Sequence, residues 1–422
     1  MAAGQPANIG PAQEATPIQT HNDTSKPALS PQERRSVGAL AAIYATRMLG
    51  LFLLLPVLAL YARTMPDYSP VLLGLAMGAY GLTQAVLQIP FGRWSDRYGR
   101  KPVIAVGLLF YAAGSLIGAF AHSLAALLVA RLVQGAGAVS AAVTALLADL
   151  TRPQVRTRAM AFVGISIGLS FILALVLAPV LDAVVGVPGI FLIMLAMALA
   201  GLALLYFAVP VEPARSGGAE GRTLSAMGQI LVRPELRPLY AGVFALHFIM
   251  TATFLSVPQV LALDLGIPIG GHWKVYLGVF LVSLAGTIPL VLATERTAHG
   301  RLVFVAAILL IACAQALLGL DHQHLWRVLA ALTLFFAVFN YLEARLPALV
   351  TQAAPGSDRG AALGVFATSQ FLGAFLGGAA GGVLLSRFGL SGVFWGSATA
   401  AAAWALVAFT GSRGRSFRRE SA

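Results

Sequence analysis

Residues Pro90–Val103 read PFGRWSDRYGRKPV and carry Arg93, Asp96, Arg97, Arg100 and Lys101, in a chain that is only 10% charged. Long apolar runs flank this polar knot on both sides. Over all 422 residues the chain is 58% apolar, with a mean hydropathy of +0.83. A water-soluble fold of this size cannot hide that much apolar surface, so the solvent for most of the chain is a bilayer. A helix crosses the hydrocarbon core with about 20 apolar residues. Twelve such segments can be marked, at 37–61, 71–91, 103–121, 124–148, 159–181, 189–209, 239–263, 273–293, 302–320, 325–350, 361–385 and 391–411. The fold class is an all-α membrane protein, and the polar knot is the connection between segments 2 and 3.

The net charge of +12 invites nucleic acid as a partner. Its distribution argues otherwise. Of the 28 Lys and Arg, only Arg63, Lys274, Arg327 and Arg387 fall in loops opposite the N-terminus, and Arg47, Arg131 and Arg345 lie inside segments. All the others share the side of the N-terminus. This is the positive-inside bias, and it places both termini in the cytoplasm. Residues 1–35, rich in Ala, Pro and Gln with no apolar core, read as a disordered tail. The single cysteine, Cys313, lies in segment 9 and rules out an internal disulfide.

Residues 210–238 contain VEPARSGGAEGRT, a flexible linker, and divide the chain into six-segment bundles at 36–209 and 239–411, with a basic tail at 412–422. The halves echo each other. Pro90 is followed by Asp96-Arg97, and Pro289 by Glu295-Arg296, at the same offsets. Segments 5 and 11 carry Gly164 and Gly168, and Gly373, Gly377 and Gly381, at a four-residue step that lets helices pack closely. Gly92 and Gly99 in the polar knot permit a tight turn.

With these features the chain resembles the major facilitator superfamily. GRWSDRYGRKP (Gly92–Pro102) is similar to that family's signature between segments 2 and 3, and RLVQGAGA (Arg131–Ala138) to its segment 4 signature. RMLGLFLLLPVLALY, AYGLTQAVLQIPFG, ALLADLTR and FNYLEARLPALV resemble a narrower group, the YajR-like drug:proton antiporters. That group carries an added soluble domain after segment 12. This chain stops shortly after segment 12, so regulation through such a domain is expected to be absent. LAPVLDA places Ala178-Pro179 where the family's antiporter signature has Gly-Pro. The resemblance implies a twelve-helix fold in which segments 1, 4, 7 and 10 line a central cavity. It also implies a cytoplasmic latch built from the polar knot. Asp96 would face the N-terminal end of segment 11, and Arg97 or Arg100 would bond Asp149 at the end of segment 4.

Charges inside membrane helices are costly and are functional candidates by default. Arg47, Arg131 and Glu343 fall on segments implied to line the cavity, as does Arg345, which points to another face of its helix. At about 1.5 Å per residue, Arg47, Glu343 and His247 sit at similar depth. Glu343 is the candidate proton carrier: burial favours its neutral form, a nearby arginine its charged form, and Asn340 one turn earlier can bond the neutral acid. His247 can relay a proton or simply pack. Tyr80, Gln84 and Gln88 share one face of segment 2 and either line the cavity or bond a neighbouring helix. Phe335, Phe336 and Phe339 either suit an apolar or aromatic cargo or pack against lipid.

Neither a phosphate-cradling glycine-lysine loop nor a metal-ligand spacing is present, and His322 and His324 beside Asp321 read as a solvated outer loop. No nucleophile stands with a base, so an enzyme is not expected, and neither is a cofactor. The expected protein is a monomeric secondary transporter of the bacterial inner membrane. It exports a small amphipathic or hydrophobic molecule in exchange for protons, by alternating access. The alternatives are a proton-coupled metabolite importer and a non-transporting sensor with the same fold.

Overall fold

The structure, a computed structural model, describes residues 28–210, 228, 230–296, 300–354, 356 and 358–410. Among these residues every regular element is helical. Helix α1 (Pro31–Leu53) starts inside the stretch expected to be a disordered tail. The reason is a capping box: Ser30 Oγ accepts the Glu33 N–H, and the Glu33 carboxylate accepts the Ser30 N–H. The remainder of that tail, 1–27, the basic tail at 412–422 and the linker core at 211–227 lie outside the described residues. So do the side chains of Glu295 and Arg296, on which half of the proposed repeat rests.

Segment 1 continues through a turn at Pro56 into α2 (Leu58–Ala62). Ser69 caps α3 (Pro70–Tyr98), which runs through the polar knot as helix. Only Gly99, with φ 99°, separates it from α4 (Arg100–Ala119). Gly92 is therefore a helical residue and makes no turn, which corrects the sequence reading. A methyl there would meet only Ala141, at an ordinary 3.6 Å. Segment 4 splits into α5 (Leu124–Ala136) and α6 (Ser140–Asp149). The break falls in the glycines of RLVQGAGA, where Gly135 lies against the Tyr80 carbonyl of α3 and Gly137 against the Gly107 carbonyl of α4.

Helix α7 (Pro153–Phe207) has 55 residues, far longer than a bilayer is thick, and Gly186 interrupts it at φ 68°. Its first part runs alongside α1: Arg152 holds Glu33, and the Ser170 hydroxyl donates to the Ala45 carbonyl. Its second part runs against α1, since Arg35 donates to the Phe207 carbonyl and Met194 lies at Gly50. The chain thus reverses at Gly186. The other half repeats the device. Helix α8 (Arg237–Gln259) passes through a π turn (Val260–Asp264) and a 3-10 turn (Ile269–Gly271) to α9 (His272–Arg296). Then follow α10 (Gly300–Leu320), α11 (Leu325–Ala353) and α12 (Arg359–Thr410), the last with 52 residues and interrupted at Gly389, φ 67°. Before Gly389, Gly373 and Gly377 lie on the backbone of Phe244 and Phe248 in α8; after it, Trp404 returns to Gly242. In all, 10 described helical stretches are long and apolar enough to cross a membrane.

Gly381 approaches Ala252 and Leu255 of α8, and Pro179 is buried within α7. Gly164 and Gly168 do not pack: no atom comes within 4 Å of where their Cβ atoms would sit. A four-residue glycine step permits close approach, but here no helix occupies the place. The tightest seam between the sequence halves joins α3 to α12. A methyl on Gly78 would lie 2.6 Å from the Phe375 carbonyl oxygen and one on Gly81 2.5 Å from that of Phe371, while Gly74 abuts Gly378 and Gly382. At the same end Arg63 donates to Gln259 Oε1 at 3.0 Å. Nearby, the Phe171 ring of α7 meets Phe254 edge-on, Phe336 at a tilt and Phe339 stacked, with centroids 6.2, 6.4 and 6.3 Å away. At the opposite end the ion pairs Arg152–Glu33 and Arg100–Asp149 tie elements of the first half, and Arg233–Asp358 ties the linker to the second.

Candidate functional site

The intramembrane charges gather into two polar clusters rather than the single one expected. The first belongs to α1, α3, α5 and α6. Arg47 is 2% exposed. Its Nη1 donates to Ser140 Oγ at 3.1 Å, and its Nη2 donates to Tyr80 Oη and Gln84 Oε1. Gln84 Nε2 passes the chain on to Gln88 Oε1 at 2.9 Å. The face Tyr80–Gln84–Gln88 therefore bonds a neighbouring helix through an arginine. Arg131, also 2% exposed, donates to Gln134 Oε1 at 2.9 Å, and Gln134 donates to Ser115 Oγ. Both guanidinium groups lie over the Tyr80 ring, at 5.7 Å for Arg47 and 5.0 Å for Arg131.

The second cluster belongs to α8, α11 and α12. His247 Nδ1 lies 3.2 Å from the Val243 carbonyl, four residues earlier on its own helix, so the ring proton is assigned to Nδ1. The lone pair of Nε2 then accepts from Gln370 Nε2 at 2.7 Å. Glu343 Oε2 lies 3.7 Å from the same Nε2 and has no hydrogen-bond partner. The Nε2 edge of His247 thus lies between an amide that bonds it and a carboxylate that does not. The Phe339 ring closes the other side of His247 at 6.1 Å.

Three expectations need correction here. Glu343 meets His247, not an arginine, because Arg47 and Arg131 point into their own half and spend their donors on neutral oxygens. Asn340 does not bond Glu343: Asn340 Nδ2 and Glu343 Oε2 both lack a partner. The two clusters do not touch directly. Helix α12 lies between them: Phe371, next in sequence to Gln370, has its ring 6.4 Å from the Tyr80 ring and its backbone carbonyl against Gly81. Gln370 was missed in the sequence, although a lone amide in an apolar helix raises the same question as Gln84.

In the polar knot, Arg100 makes the contacts. It pairs with Asp96 one turn earlier, with Asp149 at 3.3 Å and with Ser95 Oγ at 2.7 Å. Arg97 instead lies over the Tyr98 ring at 5.3 Å. On the far side, Asp67 accepts the N–H groups of Leu124 and Ala125, which hold its carboxyl below the usual carboxylate range. The outer histidine loop is not simply solvated. His322 bridges Asp264 Oδ2 at 2.8 Å and Ser391 Oγ at 3.1 Å, while Asp321 gathers His324 and Arg327.

Two long helices that each double back at a glycine, a glycine seam between halves and arginines buried inside apolar helices define a multi-pass membrane protein of two packed halves. The Major Facilitator Superfamily model matches residues 40–294 and 273–420, and the chain belongs to that superfamily. Among relatives, the Inner membrane transport protein YajR of Escherichia coli (strain K12) is 41% identical over 383 residues, 90% of this chain and 84% of YajR. The Uncharacterized transporter BU466 of Buchnera aphidicola subsp. Acyrthosiphon pisum (strain APS) is 31% identical over 79% of this chain and 86% of its own length. A bacterial homolog of the human lysosomal transporter Spinster, solved in an inward-facing and occupied conformation, superposes with a TM-score of 0.73 at 15% identity, over 94% of this chain and 100% of that one. That likeness speaks to the fold. These relatives are transporters, and this chain is not an enzyme.

Proposed function

We propose that the protein is a proton-coupled exporter of small amphipathic or hydrophobic molecules in the bacterial inner membrane. It works as a monomer by alternating access between two six-helix bundles. Counting each of the 55- and 52-residue helices as two crossings gives twelve in all, with both termini cytoplasmic. The observation that carries the proposal is the His247–Glu343–Gln370 triplet. A titratable pair lies within helices long and apolar enough to cross a membrane, beside the helix that forms the seam between the halves. A proton arriving at that pair changes what Gln370 can donate to, and Phe371 next to it bears on Tyr80 and Gly81. Protonation and the seam are thereby linked through one turn of α12.

In this reading the described conformation is closed on the outer side by the α3–α12 seam and the ring cluster of Phe171, Phe254, Phe336 and Phe339. Opening outward parts the seam, and Asp96, Arg97, Arg100 and Asp149 then clasp the inner side. A few charge-assisted bonds contribute a few kcal/mol, the scale on which a reversible two-state gate is set. The test is transport in everted vesicles with an imposed pH gradient, acid inside. Accumulation of a fluorescent amphipath that collapses with the gradient is the expected result. Accumulation insensitive to the gradient removes the proton coupling, and movement only in the opposite direction makes the protein an importer.

A further inference from the structure

We infer that Arg47 and Arg131 bind the oxyanion head of a small amphipathic organic anion, and that such anions are the cargo class. This deepens the transport reading and rests on it. Two guanidinium groups, each 2% exposed, share the ring of Tyr80 between them. Among the described residues neither pairs with an acid. Other carboxylates are engaged elsewhere: Glu33 on Arg152, Asp67 on the start of α5, Asp96 and Asp149 on Arg100, Asp264 on His322, Asp321 on Arg327 and Asp358 on Arg233. Glu343 faces His247 in the other half.

Two buried positive charges close together and without a counterion are costly, and neutral acceptors recover only part of the cost. The donors are also incompletely used. A guanidinium carries five N–H groups in a planar fork. Arg47 Nε and Arg131 Nε are buried with no partner, and Arg131 makes one hydrogen bond, to Gln134. A carboxylate, sulfonate or phosphate supplies both the missing charge and the planar or multiple acceptors that such forks match. The Tyr80 hydroxyl and the Gln84 amide oxygen now occupy Arg47 Nη2, so they are the groups an oxyanion displaces. The apolar body of the ligand then lies toward Phe371, which faces Tyr80 across the seam.

Equilibrium binding to the purified full chain in phosphatidylcholine nanodiscs tests this without any transport step. The probes are a matched series: 2-naphthoxyacetate, 2-(2-naphthoxy)ethanol and 2-(2-naphthoxy)ethylammonium. We expect the acetate to bind about tenfold or more tighter than the alcohol, and the ammonium most weakly. Arg47→Gln should remove that preference and Arg47→Lys keep part of it. Tyr80→Phe, which deletes the neutral competitor but keeps the ring, should bind the acetate at least as tightly as the parent. The ranking on the parent protein is decisive even if a variant does not fold. No acetate binding, or the ammonium binding as well as the acetate, overturns the inference. So does loss of acetate binding when phosphatidylglycerol replaces phosphatidylcholine, since a lipid head group would then be the occupant. Acetate binding without movement of the anion across vesicles leaves the site standing and sinks the transport reading alone.

Discussion

Replacing Gly78 by alanine builds a methyl 2.6 Å from the Phe375 carbonyl oxygen and 2.8 Å from its Cα. Both are backbone atoms, with no rotamer to swing away. Reaching the 3.4 Å of ordinary contact requires α3 and α12 to part by roughly 0.8 Å along a seam that Gly74 and Gly81 hold equally tight. Overpacking of this kind costs about 1–3 kcal/mol. If the seam exists only in the state closed to the outside, that cost falls on one state alone. It then shifts the ratio of the two states by about 5- to 150-fold toward outward opening. A cysteine placed at Ser256 of α8, in a background with Cys313 replaced, reports outer access through labelling by a membrane-impermeant maleimide. Labelling should be faster in Gly78→Ala than in the parent. Gly92→Ala, where the added methyl meets Ala141 at 3.6 Å, is the matched control and should label like the parent. Slower or unchanged labelling in Gly78→Ala would refute the assignment of the seam as a state-specific seal.

Gln370→Leu removes the N–H that occupies the His247 Nε2 lone pair and with it the polar tie between α8 and α12 at that point, so flux driven by a pH gradient should fall while cargo-for-cargo exchange at equal pH persists. Flux measured both ways checks it, and an unchanged gradient-driven flux leaves Gln370 a packing residue. Gly99 sits at φ 99° between α3 and α4, a backbone region nearly closed to other residues. Gly99→Ala should destabilise the fold by about 1–3 kcal/mol, read as a lower Tm in detergent. The Asp67 carboxyl is held low by two N–H groups. Its stabilising contribution is therefore complete above the ordinary carboxylate range and lost as pH falls through its lowered value. Asp67→Ala should lower the Tm at neutral pH, with the gap to the parent closing in strong acid.

Much of the architecture was legible because a bilayer imposes long apolar runs, and their lengths reveal the helical segments. The segment 2–3 stretch also carried the family in its own residues. Local geometry was less legible. Gly92, Gly99, Gly164 and Gly168 look alike in sequence, yet one is a positive-φ break, one an ordinary helical residue, and two face nothing. A glycine states what the backbone is allowed to do, and only the partner helix decides whether it does so. The α3–α12 seam was missed for that reason: Gly74, Gly78, Gly378 and Gly382 come from opposite halves, and nothing local marks them as neighbours. The site was partly legible. Burial cost flagged Arg47, Arg131 and Glu343 one by one, but pairing depends on where helices cross, so Glu343 was matched to the wrong cation. Gln370 escaped notice because an amide carries no charge to draw attention, although its hydrogen bond at 2.7 Å is what positions the histidine.

Glu343→Gln in proteoliposomes tests the coupling most directly, by comparing flux driven by an imposed pH gradient with cargo-for-cargo exchange at equal pH. Proton coupling through the acid beside His247 predicts that the variant still exchanges cargo but no longer responds to the gradient. A variant driven by the gradient as strongly as the parent would contradict it.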